Sequence, residues 1–126
     1  MAEATAAQPG RVLLCASRDQ SILDDARYAF PADVEVRCVS DAREAWRELE
    51  LLIPHAVIVD IQSGSAGGFD LARDMSQSDR LKDVPVLMLL QRTEDAWLAR
   101  QGGADAILVK PVLGDELVRE TLALIS

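Results

Sequence analysis

Five short apolar runs alternate along this chain with longer amphipathic stretches, and this alternation constrains the fold more than any other feature. The runs begin near Arg11, Val34, Ala56, Val84 and Ala106, and each is followed by apolar residues at helical spacing. Strands that alternate with helices form a parallel sheet covered by helices on both faces and joined by right-handed crossovers. The sequence therefore predicts a doubly wound α/β domain of five strand–helix repeats.

The second run, 34–39, differs from the other four because apolar and polar residues alternate in it. Alternation is typical of a strand with one lightly covered face, often at a sheet edge, whereas the other runs predict buried strands. The pattern fits a parallel sheet of order 2-1-3-4-5 in a flavodoxin-like (βα)5 three-layer sandwich. In such sheets, ligands and chemistry collect at the carboxyl ends of the strands, beside the switch point between strands 1 and 3.

Length and composition fit one domain. The chain has 126 residues, of which 49% are hydrophobic and 27% charged, which is ordinary for a single globular domain. Residues 1–10 end in Pro9-Gly10 and predict a flexible leader, which leaves 11–126 as the domain. The sequence has neither a secretory signal nor an apolar run of about 20 residues, so we expect a cytoplasmic protein without a membrane partner.

Charge and cysteine usage narrow the function classes. The formal net charge is −8 and Lys and Arg form no cluster, which argues against direct binding of nucleic acid or an anionic membrane. Cys15 and Cys38 lie in apolar runs and form no CxxC pair, so we expect both to be reduced and buried. His55 is the only histidine and is placed at the start of strand 3, away from the carboxyl ends. No Ser-His or Cys-His pair is suggested, and we do not expect an enzyme.

Helix boundaries are indicated by capping residues. Asp19 is predicted to help start the first helix, which we expect to extend to Phe30. Ser40 or Asp41 is predicted to cap the second helix; with Asp41 as the cap, Glu44 stands at the reciprocal capping position. Thr93 is predicted to cap the short fourth helix.

A carboxylate and an ammonium are predicted to meet at the carboxyl ends of the strands. Asp60 ends strand 3 and Lys110 follows strand 5. Strand 1 ends in Ala16-Ser17-Arg18-Asp19, which contains no glycine and so no glycine-rich phosphate loop. This weakens one reading, a flavodoxin-like module that binds a small ligand.

Several short motifs occur in a fixed order along the chain. They are PHAVIVD at 54–60, Gly68-Phe69, PVLM at 85–88, GADA at 103–106 and Lys110-Pro111. In this order and spacing the chain resembles the receiver domains of two-component response regulators, from Arg11 to about Ile125. The resemblance implies that Asp60 occupies the position that accepts a phosphoryl group from a histidine kinase, and that Lys110 pairs with the phosphoryl oxygens. It also implies that Gly68 lets the loop after Asp60 turn, and it makes Lys110-Pro111 a candidate cis peptide.

The first departure from the receiver pattern is at the positions that bind a metal ion. Ala16 and Ser17 stand where receivers carry two acidic residues that hold Mg²⁺, an ion bound through oxygen ligands. Asp60 is then the one carboxylate left at the metal position, with the Gln62 carbonyl as a weak second ligand and Asp19 as a weaker, displaced one. We therefore expect no cofactor, and Mg²⁺ binding is doubtful.

The switch positions depart from the pattern as well. Leu90 replaces the hydroxyl residue that ends strand 4, Ile107 replaces the aromatic switch residue, and Ser63-Gly64 replaces a common Met-Pro pair. Loss of comparable electrostatic stabilisers costs on the order of 3–4 kcal/mol, roughly 10²–10³ in rate. We therefore predict slow or absent phosphorylation. We also predict that Arg18 or Lys110 pairs with Asp60 in place of a metal, with an Arg18 side chain directed into solvent as the alternative for that residue.

Function and partners follow from this resemblance. The leading interpretation is a stand-alone atypical receiver, a pseudo-receiver that works in phosphorelay signalling by protein–protein interaction. The alternative is a receiver phosphorylated at Asp60 with unusual metal use. The expected partner is a histidine kinase or another signalling protein, and a homodimer through helix 4, strand 5 and helix 5 is a further possibility. That face offers a partly buried tryptophan and several charged residues: Trp97, Arg100, Glu116, Arg119 and Glu120.

Overall fold

The elements of the chain alternate strictly between strand and helix. The structure is a computed structural model and describes residues 10–61 and 67–125; most of the predicted leader lies outside these residues. The strands are β1 (Arg11–Ala16), β2 (Val34–Val39), β3 (Ala56–Asp60), β4 (Val86–Leu90) and β5 (Ala106–Val109). The helices are α1 (Gln20–Tyr28), α2 (Ala42–Leu51), α3 (Gly67–Ser76), α4 (Ala96–Gln101) and α5 (Gly114–Ile125), with a 3-10 turn at Thr93–Asp95 before α4.

The sheet has the predicted order, β2-β1-β3-β4-β5, and every neighbouring pair is parallel. Ala16, the last residue of β1, pairs with Val39 on one side and Val59 on the other. Asp60, the last residue of β3, pairs with Leu89 of β4. The carboxyl ends of the strands therefore meet at one edge, which is where the predicted functional residues lie.

The core is divided between the two faces of the sheet, which gives the three-layer sandwich. On one face, buried residues of α2, α3 and α4 pack against the sheet, among them Leu49, Met75 and Ala99. On the other face, Ile22 of α1 and Leu117 of α5 pack against Ile58 and neighbouring strand residues. Every residue of β3 and β4 is buried, because both strands have a neighbour on each side and helices on both faces.

Strand β5 corrects one prediction. Its four residues are all half-buried, although the apolar run 106–109 predicted a buried strand. The reason is its position: β5 lies at the second edge of the sheet and pairs with β4 alone. An apolar run does not distinguish a central strand from an edge strand that is partly covered.

The capping predictions hold for two helices and fail for the third. Asp19 accepts a hydrogen bond from Ser21 N at 3.0 Å, and Asp41 accepts one from Glu44 N at 2.9 Å. Glu44 in turn accepts from Ser40 N, one residue before the cap. The prediction for Thr93 is wrong, because Thr93 begins the 3-10 turn and α4 starts three residues later.

Two apolar side chains on α4 and before α5 are strongly exposed. Trp97 is 70% exposed and Leu113 is 66% exposed. The prediction that Trp97 is partly buried is therefore wrong: α4 turns Ala99 toward the core and Trp97 away from it.

Among the residues that the structure describes, no helix has the length and apolar character needed to cross a membrane.

Candidate functional site

Asp60 lies at the centre of the site and is almost inaccessible to solvent. It is the last residue of β3, and its side chain is 0% exposed. A carboxylate in such a place requires partners, because a buried charge without compensation is unstable. The neighbouring strand ends supply these partners.

Lys110 is the cationic partner of Asp60. Its Nζ lies 2.7 Å from Oδ1 and 2.9 Å from Oδ2 of Asp60. The lysine side chain is only 16% exposed, and its backbone N–H donates to Leu90 O at 2.7 Å. The Lys110-Pro111 peptide is cis, as predicted. The prediction that Lys110 would converge on Asp60 agrees with this geometry.

Ser17 is a second partner, bound through its hydroxyl. Its Oγ donates to Oδ2 of Asp60 at 2.6 Å and accepts from Asp19 N at 3.0 Å. Ser17 is 2% exposed, and its own N–H donates to Val39 O at 3.0 Å. The residue that replaces a family carboxylate is thus a buried hydrogen-bond donor to Asp60, a role that the sequence did not reveal.

Asp19 joins the site through Lys110. The Lys110 Nζ lies 3.3 Å from Oδ2 of Asp19, while Oδ1 caps α1. Burial by itself would raise the pKa of Asp19, but the hydrogen bonds from Lys110 and from Ser21 N outweigh it and hold the pKa below its usual range. Sequence reasoning placed Asp19 at the helix start and missed its pairing with Lys110. The sequence did contain a signal for this pairing: Asp19 follows β1 and so lies at the same edge of the sheet as Lys110.

Arg18 has different partners from those predicted. Its guanidinium lies 3.8 Å from Asp41 Oδ2 and donates through Nε to Ser40 O at 3.3 Å. The side chain is 67% exposed. Of the two cations proposed for Asp60, Arg18 is therefore not the partner. Its exposed side chain agrees with the alternative that it is directed into solvent, and it lies toward the start of α2.

Ala16, Leu90 and Ile107, which depart from the receiver pattern, are all part of the core or packed against it. Ala16 is 5% exposed and Leu90 is 0% exposed, so Leu90 is a core residue and carries no donor. Ile107 is half-buried and packs against the same core cluster. Gln62, Ser63 and Gly64 lie outside the described residues. His55 is at the opposite end of the sheet, where its Nδ1 accepts from Val12 N at 3.1 Å.

A small pocket opens beside Asp60. Its volume is about 80 Å³, and Ala16, Ser17, Asp41 and Gly68 are among the residues that line it. Gly68 is required there by close packing: a Cβ on it would lie 2.8 Å from Val59 Cγ1 and closer still to Ile61 Cδ1. The start of α3 therefore packs closely against β3 beside the pocket, and Gly68 and Val59 both line it.

The described residues do not fit a Mg²⁺ ion at this position. Ala16 offers no side-chain oxygen, and the hydroxyl of Ser17 is engaged with Asp60. The Lys110 ammonium already lies within hydrogen-bonding distance of both oxygens of Asp60. Magnesium demands oxygen ligands in near-octahedral geometry. No group of three or more His, Cys, Asp or Glu residues in 10–61 and 67–125 is arranged to hold a metal.

Comparison with known proteins identifies the family. Residues 15–122 match the family model of the response regulator receiver domain, and the chain belongs to this family. It is 34% identical over 109 residues to response regulator Rre1 of Synechocystis sp., covering 82% of the chain and 45% of that protein. It is 32% identical over 117 residues to the transcriptional regulatory protein PdtaR of Mycobacterium tuberculosis, covering 92% of the chain and 57% of that protein. The chain thus spans about half the length of these relatives.

Solved receiver structures share the fold. The chemotaxis response regulator CheY4 of Vibrio cholerae superposes with a TM-score of 0.80 at 24% identity, covering 90% of this chain and 98% of that one. The receiver domain of a sensor histidine kinase from Pseudomonas aeruginosa PAO1 gives a TM-score of 0.78 at 21% identity, covering 92% and 98%. The latter structure has a magnesium ion coordinated in its active-site cleft. Receiver domains are signalling modules of two-component systems that interact with histidine kinases and other signalling proteins.

Proposed function

We propose that this chain is an atypical receiver that signals through protein–protein interaction, with weak or no phosphorylation at Asp60. One observation carries the proposal: Lys110 and Ser17 together occupy both oxygens of the buried Asp60 carboxylate. In the family pattern this is the carboxylate that shares a metal with two acidic residues. Here Asp60 is compensated by the protein itself.

Charge balance supports weak phosphoryl transfer. The reaction depends on positioning and on neutralising the charge that develops on the transferred group. Lys110 contributes one positive charge, and that charge is shared between Asp60 and Asp19. Metal-assisted neutralisation would need oxygen ligands at Ala16 and Ser17 that these side chains do not supply. The proposed function therefore includes no resident metal or other cofactor.

The switch positions support a signal that does not depend on phosphorylation. Leu90 is fully buried in the core and Ile107 is packed against it. Neither side chain has a polar atom that could follow a phosphoryl group toward or away from Asp60. The hydroxyl and the aromatic side chain that move in the switch of the family pattern are therefore both missing at positions 90 and 107.

Exposed apolar side chains support a protein-contact role for the face formed by α4, β5 and α5. Trp97 and Leu113 are 70% and 66% exposed, and Leu98 is 49% exposed. Single exposed apolar residues are ordinary, but Trp97 and Leu98 on α4 together with Leu113, just before α5, favour a contact surface. The partner in this proposal is a histidine kinase, another signalling protein or a second copy of this chain. The net charge of −8 argues against nucleic acid.

A phosphorylation assay tests the proposal. The chain is incubated with acetyl phosphate and Mg²⁺, and its intact mass is measured beside that of Asp60→Asn. A variant carrying Ala16→Asp and Ser17→Asp restores the acidic pair and serves as the positive control. We expect the phosphoryl adduct in the restored variant and little or none in the natural sequence. An abundant adduct on the natural sequence that Asp60→Asn abolishes would support the phosphorylated alternative instead.

A further inference from the structure

Tertiary structure brings the two cysteines together across β1 and β2. Cys15 and Cys38 are register partners in this parallel pair, and both thiols are free. Both pack in the cluster on the α1 and α5 face of the sheet, beside Ile22 and Ala26, so their side chains point to the same side. Neighbouring strands lie about 4.8 Å apart, which is within the Cα separation of roughly 4.4–6.8 Å that a disulfide spans.

The two thiols differ in their access to solvent. Cys15 is 0% exposed. Cys38 is half-buried and lines a surface pocket of about 260 Å³ together with Leu23, Arg27 and Glu44. Burial outweighs the opposing effect of the neighbouring Arg27 guanidinium and leaves the pKa of Cys38 above its ordinary value. An oxidant from solvent therefore reaches Cys38 first, and Cys15 is its register partner on the neighbouring strand.

We propose that Cys15 and Cys38 are a redox modification site, a dithiol that closes reversibly into a disulfide when the protein meets hydrogen peroxide. In the first step the sulfur of Cys38 attacks the peroxide, the O–O bond breaks, and a sulfenic acid and one water form. In the second step the sulfur of Cys15 attacks the sulfenic sulfur and the S–O bond breaks. The departing hydroxide takes the thiol proton and leaves as a second water. The pair of thiols is oxidised and one peroxide is reduced.

The dithiol is joined to the Asp60 site by short backbone connections. Cys15 lies two residues before Ser17, whose hydroxyl holds Asp60, and Ser17 N donates to the carbonyl of Val39, the residue after Cys38. Ser17, just after β1, and Asp41, after β2, both line the pocket beside Asp60. A disulfide between β1 and β2 would restrict the movement of these two residues relative to each other. Oxidation would therefore act on the Asp60 pocket without any phosphorylation of the protein.

Thiol mapping of the folded chain tests this proposal independently of any phosphorylation. The protein is treated with hydrogen peroxide, the remaining thiols are alkylated after denaturation, and the intact mass and peptides are measured with and without dithiothreitol. We expect an intramolecular Cys15–Cys38 disulfide that dithiothreitol reverses, forming faster as the pH rises above neutral because the thiolate is the reacting form. Circular dichroism before and after treatment verifies that the chain stays folded.

Two single variants distinguish the roles of the thiols. Cys15→Ala should leave a Cys38 sulfenic acid that dimedone traps, whereas Cys38→Ala should leave Cys15 unreactive in the folded protein. Three results would overturn the proposal: Cys38 oxidised beyond the sulfenic acid while Cys15 remains alkylatable, disulfides only between chains, or no oxidation of the folded protein at all. Each is visible in the same mass spectrum, and none depends on whether Asp60 accepts a phosphoryl group.

Discussion

Lys110 and Asp60 form an ion pair in which the Nζ lies 2.7 Å from Oδ1 of a carboxylate that solvent does not reach. Water and salt screen such a pair far less than a surface pair. Removal of either partner leaves the other with an uncompensated charge in a poorly solvated place. The pair is therefore expected to contribute to the stability of the domain.

Lys110→Met should lower the free energy of unfolding by about 3 kcal/mol or more, because Asp60 then keeps its charge without its cation. Urea denaturation monitored by circular dichroism measures the change. Lys82→Met is the matched control, because Lys82 lies 3.9 Å from the fully exposed Asp79 and surface pairs contribute about 0–1 kcal/mol. Adding Asp60→Asn to Lys110→Met should recover much of the loss. A double variant as unstable as the single one would contradict the pairing.

Asp19 should make part of the stability of the domain dependent on pH. Its pKa is lower in the folded chain than the ordinary value of 3.8, owing to the hydrogen bonds from Lys110 and Ser21 N that outweigh its burial. A depressed pKa stabilises the folded state fully above the unfolded pKa, and this contribution is lost as the pH falls through the folded value. The difference in unfolding free energy between the natural chain and Asp19→Asn should therefore be constant near neutral pH and shrink below pH 3.8.

Asn is also a good N-cap, so Asp19→Asn preserves the start of α1 and isolates the charge. Asp79→Asn, at a fully exposed position, gives the baseline for an unspecific change in charge. A difference for Asp19→Asn that stays constant from neutral pH to the acid limit would show that its pairing with Lys110 contributes nothing.

Gly68→Ala should destabilise the chain by about 1–3 kcal/mol, the usual cost of overpacking. The new Cβ would lie 2.8 Å from Val59 Cγ1 and nearer still to Ile61 Cδ1, and both side chains are buried. Gly10→Ala is the control, because the nearest atoms to its added Cβ belong to Asp33 at 3.7 Å. Thermal unfolding of the two variants should separate them clearly. Equal melting temperatures would mean that α3 can shift away from β3 at little cost.

Trp97 should be the more accessible of the two tryptophans. It is 70% exposed, whereas Trp46 packs partly against the core cluster. Acrylamide should therefore quench the fluorescence of Trp46→Phe, which retains Trp97, more strongly than that of Trp97→Phe. If a partner or a second copy of the chain covers the α4–β5–α5 face, quenching of Trp97 should fall as that partner or the protein concentration is increased.

The sheet could be predicted because the burial of a strand is reflected in the pattern of apolar and polar residues along the sequence. The alternation in 34–39 indicated an edge strand, and the unbroken run 56–59 indicated a strand covered on both faces; the order β2-β1-β3-β4-β5 agrees with both. Periodicity failed where coverage is partial. Strand β5 is apolar but only half-buried, and Trp97 is apolar but exposed. The hydrophobicity of a residue does not tell how much of the protein covers its side chain.

The sequence by itself determined which residues end the strands, and so it placed Asp60, Lys110 and Ser17 at one edge of the sheet. Only the tertiary structure decided how they pair. It chose Lys110 over Arg18 as the cation of Asp60, gave Ser17 a hydrogen bond to that carboxylate, and drew Asp19 into the same group. These partners lie 43 to 91 positions apart in the chain. Their contacts depend on strand register and side-chain direction, which local patterns along a sequence do not encode.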